Sequence, residues 1–121
     1  MNTKNNLLLA FLALSLVCCT NDSTSDLINL EPIPEQVGYA KDVKSISDNN
    51  CTSCHGVSPI PGANISLTNY DEVRNAVLNN GLITRISLEE GNSSLMPQGG
   101  PKLPQSIIDL VEKWEQDGLN P

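Results

Sequence analysis

Two cysteines and a histidine, in the order Cys51-Thr52-Ser53-Cys54-His55, constrain this chain more than any other feature. Two thiols three residues apart lie within about one turn of backbone, so both can form thioethers with the two vinyl groups of one haem. The imidazole that follows at once can then bind the iron from below. The motif therefore predicts one covalently attached haem c, held by Cys51 and Cys54, with His55 as the proximal ligand.

Two other uses of a CxxC pair are weaker alternatives. A closed zinc site needs four nitrogen or sulfur ligands, whereas beyond this motif the chain offers only Cys18 and Cys19. A redox-active thiol pair of the thioredoxin type follows a strand in a βαβ unit, whereas the residues before Cys51 have a helical pattern. The motif therefore favours haem attachment over both alternatives.

The composition agrees with a small domain whose core needs a covalently bound cofactor for stability. The chain has 121 residues, of which 39% are hydrophobic, 17% charged and only 3% aromatic. Once the N-terminal segments are set aside, about 80 residues remain, and chains of that size bury a marginal core without further support. We expect one all-α domain over residues 39–121, with about three helices wrapped around the haem.

The N-terminus has the pattern of an export signal. A basic start at Lys4 precedes an eleven-residue run, Leu7 to Val17, which is apolar apart from Ser15 and too short to cross a bilayer as a helix. Leu16-Val17-Cys18-Cys19 resembles a bacterial lipobox, which predicts a signal peptide over 1–18 and lipidation of Cys19. The alternatives are an ordinary signal peptide, a disulfide partner for one of these cysteines, or lipidation of Cys18. The protein is expected to be exported and lipid-anchored, on the periplasmic side or at the outer membrane.

Residues 19–38 are polar and then proline-rich, with no sustained periodicity. They predict a flexible tether whose root-mean-square span is roughly 25 Å.

Three helices are predicted from apolar periodicity. The first begins near Tyr39 and presents Tyr39, Val43 and Ile46 on one face before Asn50. The second begins at an N-cap, Thr68, and ends at Asn79-Asn80-Gly81. The third begins with Pro104, ends at Gly118 and carries the stripe Ile107, Leu110, Val111 and Trp114. Trp114 is expected to pack on the first helix near Tyr39 and Val43, and the turn at 59–62 is expected to border the haem.

A second loop has the chemistry of a distal iron ligand. Prolines and glycines stiffen residues 91–101 around Met96, which is the only methionine besides the initiator. A thioether on such a loop can bind the iron from the face opposite His55. The alternative is a methionine that fills a gap in the core.

Taken together, the first helix running into CxxCH, the Leu95-Met96-Pro97 loop and the closing helix with Lys113-Trp114 resemble the small class I cytochrome c domains of exported Bacteroidetes-type proteins. The resemblance covers about two-thirds of the chain. It implies that the first and last helices cross, that His55 and Met96 bind the iron axially, and that the domain carries single electrons without being an enzyme. A peroxidase-like haem enzyme or a gas sensor, with a displaceable Met96, is the alternative.

The net charge of the chain indicates which kinds of partner it can bind. Without the leader, six basic and fourteen acidic residues remain, a net charge of −8. Nucleic acid and anionic lipid are unsuitable partners for such a surface, whereas a redox protein with a basic docking patch is favoured. Arg85 is a candidate partner for a haem propionate.

Overall fold

Four α-helices make up the part of the chain that the computed structural model describes, residues 32–121, and no strand occurs in that range. A π-helical turn, Tyr39–Val43, leads directly into α1, Lys44–Asn50. Helix α2 spans Tyr70–Asn79, α3 spans Leu82–Ser87 and α4 spans Gln105–Gln116. The all-α prediction is confirmed for these residues. The predicted signal peptide, Cys18, Cys19 and most of the predicted tether lie outside them.

None of the helices within residues 32–121 is both long enough and apolar enough to cross a membrane.

The first helix begins where the apolar spacing predicted. Tyr39 and Val43 are buried, Ser47 is buried one turn later, and Cys51 directly follows the last residue of α1. The CxxCH motif therefore starts at the C-terminal end of this helix.

An aromatic cluster joins the two ends of the described chain. Trp114 is fully buried, and its ring centroid lies 5.9 Å from that of Tyr39 and 6.3 Å from that of Tyr70. The indole N–H donates to the backbone carbonyl of Asn120 at 2.7 Å, so its polar atom is satisfied inside the core. The predicted packing of Trp114 on the first helix is confirmed.

The folded region begins before Tyr39. Val37, which the sequence assigned to the tether, is fully buried. Its N–H donates to the Asp117 carboxylate at 2.8 Å, and the N–H of Tyr39 donates to the carbonyl of Asn120 at 2.9 Å. These bonds fasten the last residues of the predicted tether to the C-terminal end of α4.

A second core cluster lies along the N-terminal half of α4. It consists of Ile86, Leu103, Ile108 and Val111, with Met96 packed against it. The buried face of α4 is Ile108, Val111 and Trp114, whereas the predicted stripe members Ile107 and Leu110 are only half-buried. The helix is thus rotated slightly from the predicted orientation, and Pro104 caps it instead of being its first residue.

Helix α2 begins one residue later than predicted. Asn69, not Thr68, is the N-cap, and its side-chain oxygen accepts the N–H of Glu72 at 3.1 Å. The Glu72 carboxylate in turn accepts the N–H of Thr68 at 2.7 Å, which completes a reciprocal capping arrangement. The helix ends at Asn79, as predicted.

Helix α3 was not predicted. It follows Gly81, whose φ of 66° is in the left-handed region that glycine adopts without strain. This turn brings Leu82 and Ile83 back onto both core clusters.

Candidate haem site

One cavity brings the four predicted haem residues together. It has a volume of about 490 Å³ and is lined by Cys51, Cys54, His55 and Met96 among others. Cofactor pockets in proteins span about 300–1,000 Å³ and are mostly apolar with few polar groups. Two separate segments, the turn after α1 and the loop before α4, therefore present their predicted ligands to the same space.

The CxxCH motif is wound into a tight turn at the end of α1. The N–H groups of Cys54 and His55 both donate to the carbonyl of Cys51, at 3.1 and 2.8 Å. The N–H of Cys51 donates to the backbone carbonyl of Ser47 at 2.8 Å. The motif thus continues the helical winding of the backbone. This conformation keeps the two thiols and the imidazole on one short stretch beside the cavity.

A hydrogen bond selects the tautomer of the neutral His55 ring. Its Nδ1 lies 2.9 Å from the carbonyl oxygen of Ile65. Because a carbonyl oxygen only accepts, the proton of the neutral ring is on Nδ1, and Nε2 has the free lone pair. A backbone carbonyl behind the imidazole is the usual outer partner of a metal-binding histidine, since it fixes the ring and raises its basicity. In this tautomer Nε2 is the nitrogen that His55 could offer to a metal.

The segment that supplies this carbonyl is itself held firmly. The N–H of Leu67 donates to the carbonyl of His55 at 2.8 Å, and the Ser66 hydroxyl donates to that of Gly56 at 2.5 Å. The buried hydroxyl of Ser47 donates to the carbonyl of Leu67 at 2.7 Å. Ser47 thus ties the segment behind His55 to α1.

The loop that carries Met96 is attached to α3. The N–H of Met96 donates to the carbonyl of Arg85 at 3.1 Å, and the neighbouring Leu95 is buried. At the base of the loop, Lys102 donates through Nζ to Glu89 at 2.9 Å. The side chain of Met96 packs on the second core cluster while it lines the cavity.

The electrostatics of Cys51 differ from those of a redox-active thiol. Burial raises the pKa of the Cys51 thiol, although a hydrogen bond with Ser47 acts in the opposite direction. The thiol also lies at the C-terminal end of α1, where the helix dipole disfavours a thiolate. Reactive CxxC pairs have lowered thiol pKa values and are commonly helped by a helix N-terminus. The environment of Cys51 favours a structural or covalently modified role.

The remaining lining is mainly apolar. Ile60 and Pro61 of the predicted turn border the cavity. Leu82, Ile86 and Leu103 line it from the side of the second core cluster. Arg85, on the helix that the sequence did not predict, is the only lysine or arginine among the lining residues that the structure describes. From the sequence, Arg85 is either a partner for a propionate or a solvated cation, and its place at the cavity is compatible with the first role.

The chain matches no protein-family model, and neither a curated protein nor a solved structure is detectably similar to it. The resemblance to cytochromes c therefore rests on the sequence motifs alone.

Sequence reasoning missed the residues that support the site. The Ile65 carbonyl is a backbone group, which every residue carries, so no residue type signals it. Ser47 lies on the same face of the first helix as Tyr39 and Val43, and one small hydroxyl residue in such a series gives only a weak signal. Its position one turn before Cys51 could have indicated a residue that anchors the motif.

Proposed function

We propose that this protein transfers single electrons through one covalently attached haem c with axial ligands from His55 and Met96. The observation that carries the proposal is the His55 Nδ1–H bond to Ile65, because it leaves Nε2 as a metal ligand beside the two thiols of the motif. The presence of Met96 on the same cavity adds a candidate distal ligand.

The described residues have separate tasks in this proposal. Cys51 and Cys54 would hold the haem through thioethers, which fixes its orientation relative to α1. His55, oriented by Ile65, would bind iron from one side, and the Met96 loop, fixed to the Arg85 carbonyl, would supply sulfur from the other. The apolar side chains from α3 and the segment before α4 would exclude water from the cofactor.

A haem with imidazole and thioether ligands supplies reversible one-electron chemistry, and the soft methionine sulfur favours the ferrous form. The protein's contribution is rigidity. Because His55 and Met96 are each held by a backbone hydrogen bond to a neighbouring segment, little of the protein has to rearrange when the charge of the site changes.

The proposed fold is the class I cytochrome c arrangement. Contact between the first and last helices supports it, since Tyr39 and Trp114 pack at 5.9 Å between ring centroids. Export and lipid anchoring complete the proposal: a non-enzymatic electron carrier anchored by Cys19 on the periplasmic side or at the outer membrane, with redox proteins as partners.

Substitution of both thiols tests the attachment. Protein matured in an oxidising periplasm should keep its haem through denaturing electrophoresis and show Soret and alpha absorption bands. Cys51→Ala with Cys54→Ala should lose the covalent haem entirely, whereas the matched change Ser53→Ala, inside the motif but without a thioether, should retain it. Haem that survives denaturation in the double variant would refute the proposed attachment.

A further inference from the structure

Ser47 is the one buried polar residue of the described chain, 3% exposed, and it bonds to two separate segments. Its backbone carbonyl accepts the N–H groups of Cys51 and Thr52, at 2.8 and 3.2 Å. Its hydroxyl donates to the carbonyl of Leu67 at 2.7 Å, across twenty residues of sequence. Ser47 therefore holds both the start of the CxxCH motif and the segment that lies behind His55.

The chain from His55 to Leu67 forms a loop that closes on itself, which we call the histidine loop. The carbonyl of His55 accepts the N–H of Leu67 at 2.8 Å, and the His55 Nδ1 lies 2.9 Å from the Ile65 carbonyl. The Ser66 hydroxyl adds a bond to the Gly56 carbonyl at 2.5 Å. Because both partners of each bond belong to the loop, these bonds set its shape but do not fix its place beside α1.

Apolar contacts place the histidine loop only in part. Leu67 is buried in the core cluster that contains Trp114, and Ile65 packs against the same cluster. Such contacts keep a side chain in the core, but they are non-directional and do not fix the rotation of a peptide group. The Ser47 hydroxyl supplies that direction, since it binds the Leu67 carbonyl from α1.

We propose that Ser47 is a positioning residue for the iron site. Its hydroxyl holds the histidine loop in the register at which the Ile65 carbonyl accepts the Nδ1 proton of His55. The inference rests on the proposed haem function, in which the thioethers and the imidazole all follow this end of α1. A hydrogen bond at Nδ1 raises the basicity of the imidazole, which favours ferric over ferrous iron. Ser47 thus lowers the reduction potential from a position outside the cavity lining.

Removal of the hydroxyl tests this role. Ser47→Ala leaves the backbone bonds of residue 47 in place. In the ferrous haem protein, exchange of the His55 Nδ1 proton with solvent, followed by NMR, should become several-fold faster. At an ambient potential fixed at the wild-type midpoint, the ratio of ferrous to ferric protein should rise several-fold. Ser45→Ala, the same change at an exposed position of α1 whose hydroxyl also donates to a backbone carbonyl, should leave both values unchanged.

Two further variants separate positioning from stability. Leu119→Ala should weaken the fold without moving either value, because the hydrogen bonds of Leu119 join it to Tyr70 and Trp114 instead of to the histidine loop. A rise as large as that of Ser47→Ala would overturn the proposal, since general loosening would then explain both. Ser47→Thr keeps the hydroxyl and should retain the wild-type values. Shifted values in this variant would also overturn the proposal, because volume instead of the hydroxyl would then be responsible.

Wild-type proton exchange and potential in Ser47→Ala would overturn the positioning role directly. Where that variant takes up no haem, Ser47→Thr decides the question: wild-type values support the role of the hydroxyl, and shifted values contradict it. A wild-type protein without covalent haem would contradict the proposed function. A haem-loaded wild type whose Ser47 variants all match it would contradict only the positioning role.

Discussion

Met96 is the residue that distinguishes an electron carrier from a haem enzyme or a gas sensor. A carrier keeps both axial positions filled, whereas an enzyme or sensor needs one that is open or easily vacated. The Met96 backbone is bonded to Arg85, and its side chain packs on the second core cluster, so the loop has no need of the iron to stay in place. If the proposed function is right, Met96 would thus need little rearrangement of its loop to bind iron.

Met96→Ala should therefore change the haem without unfolding the domain. The oxidised wild type should show the weak far-red band of methionine-to-ferric charge transfer, and the variant should lack it. The variant should also bind carbon monoxide and have a lower reduction potential, because the donor that favours ferrous iron is gone. Gln98→Ala, which alters another lining residue of the same loop, should leave all three properties unchanged.

A wild-type protein that binds carbon monoxide readily and shows no far-red band would contradict ligation by Met96. It would favour the alternative of a sensor or a peroxidase-like enzyme.

The sequence could predict candidate ligand side chains that share one cavity, but not the groups that orient them. Cys51, Cys54, His55 and Met96 are rare residue types in this chain, so their spacing carried information. The structure brings all four to one cavity. The carbonyl of Ile65 has no such signal, since its role depends on a segment ten residues away folding back onto His55.

The start of α2 depends on the ionisation of one glutamate. The backbone N–H of Thr68 is the main cause of the lowered pKa of Glu72, with smaller help from the Thr68 hydroxyl and from Asn69. A carboxyl whose pKa is lower in the folded state stabilises that state at neutral pH. The stabilisation is lost as the pH falls from the ordinary glutamate range through the lower folded-state pKa.

Glu72→Gln should therefore reduce the melting temperature near pH 7 and make it less dependent on pH in the acid range. Thermal unfolding followed by circular dichroism between neutral and acid pH measures both effects. Glu115→Gln, an exposed change on α4, is the control and should leave the acid limb as in the wild type. Parallel acid limbs for the Glu72 variant and the wild type would contradict this role.

The sequence predicts the helices that have a long apolar stripe, but it does not predict the short helix that lacks one. The first and last helices have such stripes, and both occur close to their predicted bounds. Helix α3 has six residues, Leu82–Ser87, too few for a periodic pattern to be separated from a short apolar run. The N-cap of α2 was placed one residue early because Thr68 and Asn69 are both good capping residues, and the backbone conformation decides between them.

At the scale of the whole molecule, the C-terminal residues close the fold. Leu119 is buried in the aromatic cluster, and its carbonyl accepts the hydroxyl of Tyr70 at 2.9 Å. The next residue, Asn120, accepts from both Tyr39 and Trp114. These contacts join the beginning and the end of the domain at one place. A periodicity analysis could not show this, because they connect residues far apart in sequence.

Leu119→Ala should destabilise the domain by about 2–5 kcal/mol, the usual cost of removing a buried leucine side chain. Denaturant unfolding of the haem-loaded protein measures the free energy. Leu78→Ala, which removes the same atoms from a half-exposed position of α2, should cost much less. Equal losses for the two variants would mean that the C-terminal residues do not close the core.

Attachment to the membrane depends on residues outside the described range, so the prediction rests on the sequence. Leu16 stands three residues before Cys19, which is the lipobox spacing for lipidation of Cys19. Val37 is the first buried residue of the described range, so 17 residues lie between Cys19 and that side chain. Cys19→Ser should move the protein from the membrane fraction to the soluble fraction with its haem spectrum unchanged, whereas Cys18→Ser should leave it in membranes. The opposite pattern would assign the lipid to Cys18, and membrane retention of both variants would contradict the lipoprotein prediction.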